Sequence, residues 1–112
     1  CYPIQLRPET GWSRKALQIH LEDSGVFSRV IFSGNITRHP MLRGRHYRVH
    51  PAGLANCDQI MEFGIMLPCH PTMSEEDCRY VQQVLTEFIE NTVPAHIEMA
   101  ARHVVREDSA AG

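Results

Sequence analysis

An amphipathic helix predicted over residues 74–90 sets the strongest limit on the possible folds of this chain. Ser74 and Asp77 have the spacing of a capping box, and the acidic residues at 75–77 suit the positive end of a helix dipole. Behind them, apolar side chains recur at the spacing of one helical face, namely Val81, Val84, Leu85 and Phe88. A stripe of this kind has to be buried against a sheet or a second helix.

Three short segments predict the strands that provide such a surface. Residues 2–7, 27–32 and 63–67 are apolar and bounded by turn-forming residues. Between the first two strands, a helix is expected with Ser13 as N-cap and Gly25 just beyond its end. A short helix over residues 55–61, capped by Asn56 or Asp58, precedes the third strand. The sequence therefore predicts a small α+β domain.

Composition limits the function classes. The chain has 112 residues with 43% hydrophobic and 21% charged content, which is typical of one globular domain. Its net charge of −2 argues against a nucleic-acid partner. It has no apolar run long enough for a bilayer and no signal peptide, so no membrane partner is expected. Because Cys1 directly precedes an apolar segment, we expect a fragment of a longer protein.

The cysteines favour a cytoplasmic protein without a disulfide framework. The four of them are widely spaced and form no C-x-x-C pair. A zinc site would have to combine Cys57, Cys69, His70 and Cys78, whose spacing matches no zinc ribbon or finger. We therefore expect reduced cysteines and no metal.

A basic loop is the clearest candidate for ligand binding. Residues 33–56 are punctuated by Gly and Pro, and no acid lies between residues 34 and 57. Guanidinium groups bind phosphate through paired hydrogen bonds, and the loop carries Arg38, Arg43, Arg45 and Arg48. The alternative is a solvated loop whose arginines pair with the acidic helix 75–90.

Other polar residues leave two interpretations open. Asn35 follows a predicted strand, where ligand contacts are common, but Asn also tolerates the left-handed conformation of a tight turn. His70, between Pro68 and Pro71, suits either a general base or a turn cap. Trp12 and Tyr47 are candidates for stacking or for packing. Neither a catalytic triad nor a paired-carboxylate motif stands out, so no catalytic residue is assigned.

Four segments of the chain resemble a known family. Residues 32–42, FSGNITRHPML, are similar to F-x-G-N-L-T-R-Q-P of DegT/StrS-type sugar aminotransferases, and most similar to the CDP-4-keto-6-deoxyglucose 3-dehydratase branch. Residues 47–49 resemble that branch's Y-R-V, and residues 56–61 its N-T-D-x-I-M. Residues 63–76 resemble F-W-I-G-V-Y-P-G-L-T-E-E. His39 replaces the branch's Gln, and L-P-x-H-P at residues 67–71 is closer to the aminotransferases.

The resemblance implies the C-terminal small domain of a fold-type I enzyme. This domain would span residues 1–92, as an antiparallel sheet with helices packed on one face, followed by a helix and frayed tail over 93–112. The parent would be a homodimer whose missing N-terminal large domain binds pyridoxal phosphate or pyridoxamine phosphate. Lys15, the chain's single lysine, matches no family lysine.

The implied activity is that of the parent enzyme, and the isolated fragment is expected to be inactive. The parent would be a nucleotide-sugar 3-dehydratase in dideoxysugar or lipopolysaccharide synthesis, or else a keto-sugar aminotransferase. The substrate would be a nucleotide-diphosphate sugar. Its main contact would be Arg38, with Asn35 as the second candidate and His39 and Arg48 as further contacts. A stand-alone module for phosphorylated ligands and a purely structural dimerisation domain are the alternatives from other classes.

Overall fold

The computed structural model describes residues 1–92, so the helix and tail expected over 93–112 lie outside it. Within this range, strands and helices follow one another in the order β1 (Tyr2–Gln5), α1 (Arg14–Asp23), β2 (Arg29–Val30), α2 (Ala55–Phe63), β3 (Gly64–Leu67) and α3 (Glu75–Asn91). Single 3₁₀ turns lie at Pro8–Thr10, Ile36–Arg38 and Pro40–Leu42. The α+β fold class is confirmed. None of the helices in the described range is long and apolar enough to cross a bilayer.

The three strands form one antiparallel sheet in the order β1-β3-β2. Tyr2 lies opposite Leu67 on one side of β3, and Arg29 lies opposite Met66 on the other. The central position of β3 explains why it is the most apolar and most buried strand. All three strands are shorter than predicted, and β2 contains two residues instead of six.

A single core joins α1, α3 and the sheet. Leu17 and Leu21 of α1 and Ile65 of β3 are almost fully inaccessible to solvent. The predicted stripe of α3 faces this core, with Val84 and Phe88 buried and its other two members partly buried. Leu6, Val26 and Leu67 complete the buried set. The amphipathic pattern therefore marks the correct face of α3, whose nearest helical neighbour is α1.

Hydrogen bonds from His20 and Trp12 connect α1 and the residue before its cap to α3 and its C-cap at the edge of this core. The ring nitrogen Nε2 of His20 lies 2.9 Å from the Val84 carbonyl oxygen, and the ring also lies against Phe88. Trp12 meets Phe88 edge-on, and its Nε1 donates to the Thr92 carbonyl at 3.3 Å. Trp12 is therefore a packing residue, which was one of its two predicted roles.

The ends of two helices follow the predicted local rules. The hydroxyl of Ser13 accepts from Ala16 N–H at the start of α1, and Gly25 has a left-handed φ of +74° just after its end. Ser74 and Asp77 form the complete capping box of α3. The cap predicted for α2 is wrong, because Leu54 occupies that position and contributes no side-chain hydrogen bond. Asn56 and Asp58 lie inside the helix instead.

Candidate functional site

The candidate site begins where the loop after β2 lies directly on α2. Gly34 has φ of +60°, and a Cβ at this position would overlap both Cα and Cβ of Met61. Only glycine allows both the left-handed backbone and this close approach. The contact fixes the following residues, 35–39, against the first two turns of α2.

Asn35 is the buried polar centre of the loop. It is 3% exposed, and its Oδ1 accepts from the backbone N–H of Thr37 at 3.1 Å and from the Thr37 hydroxyl at 2.6 Å. Its Nδ2 donates to Oδ1 of Asp58 at 2.7 Å. Asn35 thus caps the turn Ile36–Arg38 with φ of −103°, so the left-handed conformation considered for it is wrong and belongs to Gly34. Its side chain organises the loop instead of facing solvent.

Arg38 forms a two-pronged ion pair with Asp58, which we call the Arg38–Asp58 clasp. Its Nε lies 2.9 Å from Oδ1 and its Nη2 lies 2.8 Å from Oδ2. The side chains are 62% and 38% exposed, so the clasp lies at the surface. The alternative in which Arg38 pairs with the acidic helix 75–90 is wrong, because its partner lies on α2. In α3, Glu75 pairs with Arg79 of the same helix.

The hydrogen bonds of the clasp keep both of its members charged. The guanidinium of Arg38, followed by the amide of Asn35, lowers the pKa of Asp58 to about 2. The same hydrogen bond and the charge of Asp58 raise the pKa of Arg38. The pair is therefore ionised at every physiological pH.

Of the other two predicted contact residues, one lies close to the clasp. Nε2 of His39 is 2.8 Å from the carbonyl oxygen of Ser33, which closes the loop on itself. Arg48 is exposed in the segment without regular structure over residues 45–50 and, within the described residues, forms no hydrogen bond with the clasp. Asn35, Arg38 and His39 thus belong to one turn, and Arg48 stands apart from them.

Asp58 is the site residue that sequence reasoning missed. The local pattern predicts only a helix cap at Asp58, although it is the first acid after the acid-free stretch 34–57. It also lies in the segment at residues 56–61 that resembles the dehydratase motif. Those two signals together identify it as a partner for one of the loop arginines.

The other sequence candidates have local roles. Nδ1 of His70 is 2.7 Å from the hydroxyl of Thr72 and accepts from its backbone N–H at 3.2 Å, so the ring caps a turn. The cysteines are free thiols. Across residues 1–92, no cluster of three or more histidine, cysteine or acidic side chains has the geometry to hold a metal ion.

The clasp leaves part of Arg38 available to a ligand. Pairing through Nε and Nη2 uses one edge of the guanidinium, so the N–H groups of Nη1 and the outer N–H of Nη2 remain for another acceptor. An arginine held in this way has lost much of its rotamer freedom before a ligand arrives, which lowers the entropic cost of binding an anion. The remaining N–H groups can donate to an oxygen acceptor, and a charged oxygen would form the stronger hydrogen bond.

Comparison with known proteins identifies the family. The sequence profile of the DegT/DnrJ/EryC1/StrS aminotransferase family matches residues 1–86. The chain is similar to dTDP-4-dehydro-2,6-dideoxy-D-glucose 3-dehydratase of Saccharopolyspora spinosa, with 31% identity over 88 residues that make up 79% of this chain and 19% of that protein. It is also similar to lipopolysaccharide biosynthesis protein RfbH of Salmonella typhimurium, with 31% identity over 87 residues, or 78% of this chain and 20% of that one. The chain thus spans about a fifth of the length of these relatives. Because the profile covers more than three quarters of the sequence, the chain belongs to the DegT/DnrJ/EryC1/StrS aminotransferase family.

Proposed function

We propose that this chain is the C-terminal small domain, over residues 1–92, of a cytoplasmic enzyme that modifies a nucleotide-linked sugar. The parent reaction is 3-dehydration on the way to a deoxysugar or a lipopolysaccharide sugar. Membership of the family and the similarity to a 3-dehydratase and to a lipopolysaccharide biosynthesis protein support this assignment. The parent acts as a homodimer, and its large domain lies outside this chain.

The role of this domain is to hold the diphosphate of the substrate. The observation that carries this role is the Arg38–Asp58 clasp, which presents a pre-oriented guanidinium edge at the surface. A diphosphate offers several charged oxygens, and charged hydrogen bonds are stronger than neutral ones. Asn35 supports the clasp from the buried side, and His39 holds the loop closed. Arg48 contributes charge at longer range.

The described residues do not fit the cofactor that the family implies. Pyridoxal phosphate needs a lysine that is withdrawn from water to form and keep an imine. Lys15 lies exposed in the first turn of α1, where it lines an open surface hollow and not an enclosed site. The large domain of the parent therefore binds pyridoxal phosphate or pyridoxamine phosphate, and no step of the reaction is assigned to this chain.

A keto-sugar aminotransferase is the second candidate for the parent. It is favoured by L-P-x-H-P at residues 67–71, which resembles the aminotransferase side of the family. Both candidates require the same diphosphate contact, so Arg38 has the same role in either one.

The diphosphate contact is testable on the chain itself. We expect pyrophosphate and dTDP-glucose to bind the 112-residue chain, as followed by amide chemical shifts in NMR titrations. Arg38→Ala should weaken the binding of both ligands about tenfold or more, because a charged hydrogen bond to phosphate contributes about 1.5–3 kcal/mol. Arg38→Lys should restore part of the affinity, since an ammonium group lacks the planar fork.

Arg79→Ala is the matched control. Arg79 is also an exposed arginine in an ion pair, but it lies on α3 and pairs with Glu75 of the same helix. We expect this variant to bind both ligands as the unmodified chain does. Equal losses for the two variants would mean that only net charge matters, and the assignment of Arg38 would then be wrong.

A further inference from the structure

Phe32 combines an unfavourable backbone with an exposed aromatic ring. Its φ is +39°, and it is the one residue other than glycine in the described part of the chain with positive φ. The backbone N–H of Gly34 donates to the Ile31 carbonyl at 2.9 Å and closes a tight turn around it. The ring is 89% exposed. A bulky residue is strained in this conformation, and the ring recovers no burial energy within the domain.

A small cavity lies beside this ring. It measures about 180 Å³ and is lined by Phe32, Val30 and Met61 together with the cationic side chain of Arg14 and the ring of His39. Arg14 is half-buried, and its Nη1 donates to the Met61 carbonyl at 2.7 Å, which fixes the guanidinium at the cavity. The site therefore combines an aromatic wall with a held hydrogen-bond donor.

His39 adds an acceptor to the same cavity. Its Nε2 lies 2.8 Å from the Ser33 carbonyl oxygen, which can only accept, so Nε2 carries the proton. In the neutral ring, Nδ1 is then an acceptor. One donor and one acceptor beside an aromatic face match the hydrogen-bonding edge and the flat face of a nucleobase.

The cavity and the Arg38–Asp58 clasp involve neighbouring residues of the loop and of α2. Met61 lines the cavity and follows Asp58 on α2 by about one turn, a rise of about 4.5 Å. Arg38 and His39 are consecutive in the chain. The cavity and the clasp thus adjoin neighbouring positions on α2 and neighbouring residues of the loop.

We propose that Phe32, Arg14 and His39 form a base-binding subsite for a nucleoside diphosphate. The base stacks on Phe32, Arg14 donates to a base carbonyl oxygen, and Nδ1 of His39 accepts from a base N–H. This assignment rests on the proposed function, because it takes the diphosphate to be held by Arg38. It explains why a strained, exposed ring stands next to the clasp.

The test compares two ligands on the 112-residue chain, dTDP and pyrophosphate, by NMR titration. Phe32→Ala should lower the affinity for dTDP about tenfold, because the variant loses the stacking of the base on the aromatic ring. The affinity for pyrophosphate should not change. The thymine methyl resonance of dTDP should shift upfield on binding the unmodified chain and should lose that shift with Phe32→Ala. Phe32→Gly should lower the affinity for dTDP as much as Phe32→Ala does. It should not lower the unfolding temperature, because glycine adopts positive φ without strain.

Phe27→Ala is the matched control, because Phe27 is 87% exposed and lies at a different cavity beside Pro68 and Cys69. We expect it to bind both ligands normally. The subsite is refuted if Phe32→Ala lowers the affinity for dTDP no more than Phe27→Ala does. It is also refuted if the unmodified chain binds dTDP no more tightly than pyrophosphate. A pyrophosphate affinity that does not depend on Arg38 would refute the proposed function separately.

Discussion

At the scale of single residues, the site depends on the ionisation of Asp58. The hydrogen bond from Arg38 is the largest cause of its lowered pKa, and the amide of Asn35 is the next. We therefore predict that Arg38→Ala raises the pKa of Asp58 from about 2 towards its ordinary value without fully restoring it, because Asn35 still donates. A ¹³C NMR titration of the side-chain carboxyl carbons measures this shift.

The same titration contains its own control. The pKa of Asp77 is lowered by the backbone and hydroxyl of Ser74, which Arg38→Ala leaves in place, so Asp77 should titrate as before. The pKa of Asp58 is lower in the folded chain than in the unfolded chain. The ionised carboxylate therefore stabilises the fold fully above about pH 4, and this stabilisation is lost as the pH falls towards 2. Arg38→Ala should flatten this part of the stability profile. An unchanged Asp58 titration would mean that the clasp does not form in solution.

At the scale of elements, the contact between the loop and α2 depends on Gly34. Gly34→Ala combines left-handed strain of about 1–2 kcal/mol with an overlap against Met61 that costs about 1–3 kcal/mol more. Gly44→Ala is the control, because Gly44 has φ of +71° but open space at the Cβ position. We predict that Gly34→Ala lowers the free energy of unfolding in urea by clearly more than Gly44→Ala. Equal losses would show that the loop does not rest on Met61.

Features that depend on a few adjacent residues could be predicted from the sequence, whereas features that depend on distant residues could not. The capping box of α3 and the glycine after α1 follow from a few adjacent residues, so both were predicted correctly. The extent of β2 was overestimated, because an apolar run does not reveal that the backbone turns at Phe32. The partner of Arg38 lies twenty residues away on another element, and charge alone pointed to the wrong helix.

At the scale of the whole molecule, stability depends on one core in which Phe88 is central. Its ring is buried and contacts both Trp12 and His20. We predict that Phe88→Ala lowers the free energy of unfolding by about 3–5 kcal/mol. Ile89→Ala, at a neighbouring position of α3 that is 52% exposed, should lower it by about 0.5 kcal/mol or less. Urea denaturation measures both, and a loss below about 1 kcal/mol for Phe88→Ala would place the ring outside the core.

The strand order β1-β3-β2 also determines when this domain can assemble. Within residues 1–92, both outer strands pair only with β3, which follows them in the chain by a long interval. During synthesis on the ribosome, β1 and β2 therefore emerge as unpaired edges, while α1 can already form from local interactions. The loop that carries Arg38 lies between β2 and β3 and is held by Asp58 and Met61 of α2, which leads directly into β3, so the loop also depends on a part of the chain that emerges late. Long-range pairing, and not helix formation, should therefore limit the rate at which the Arg38–Asp58 clasp appears.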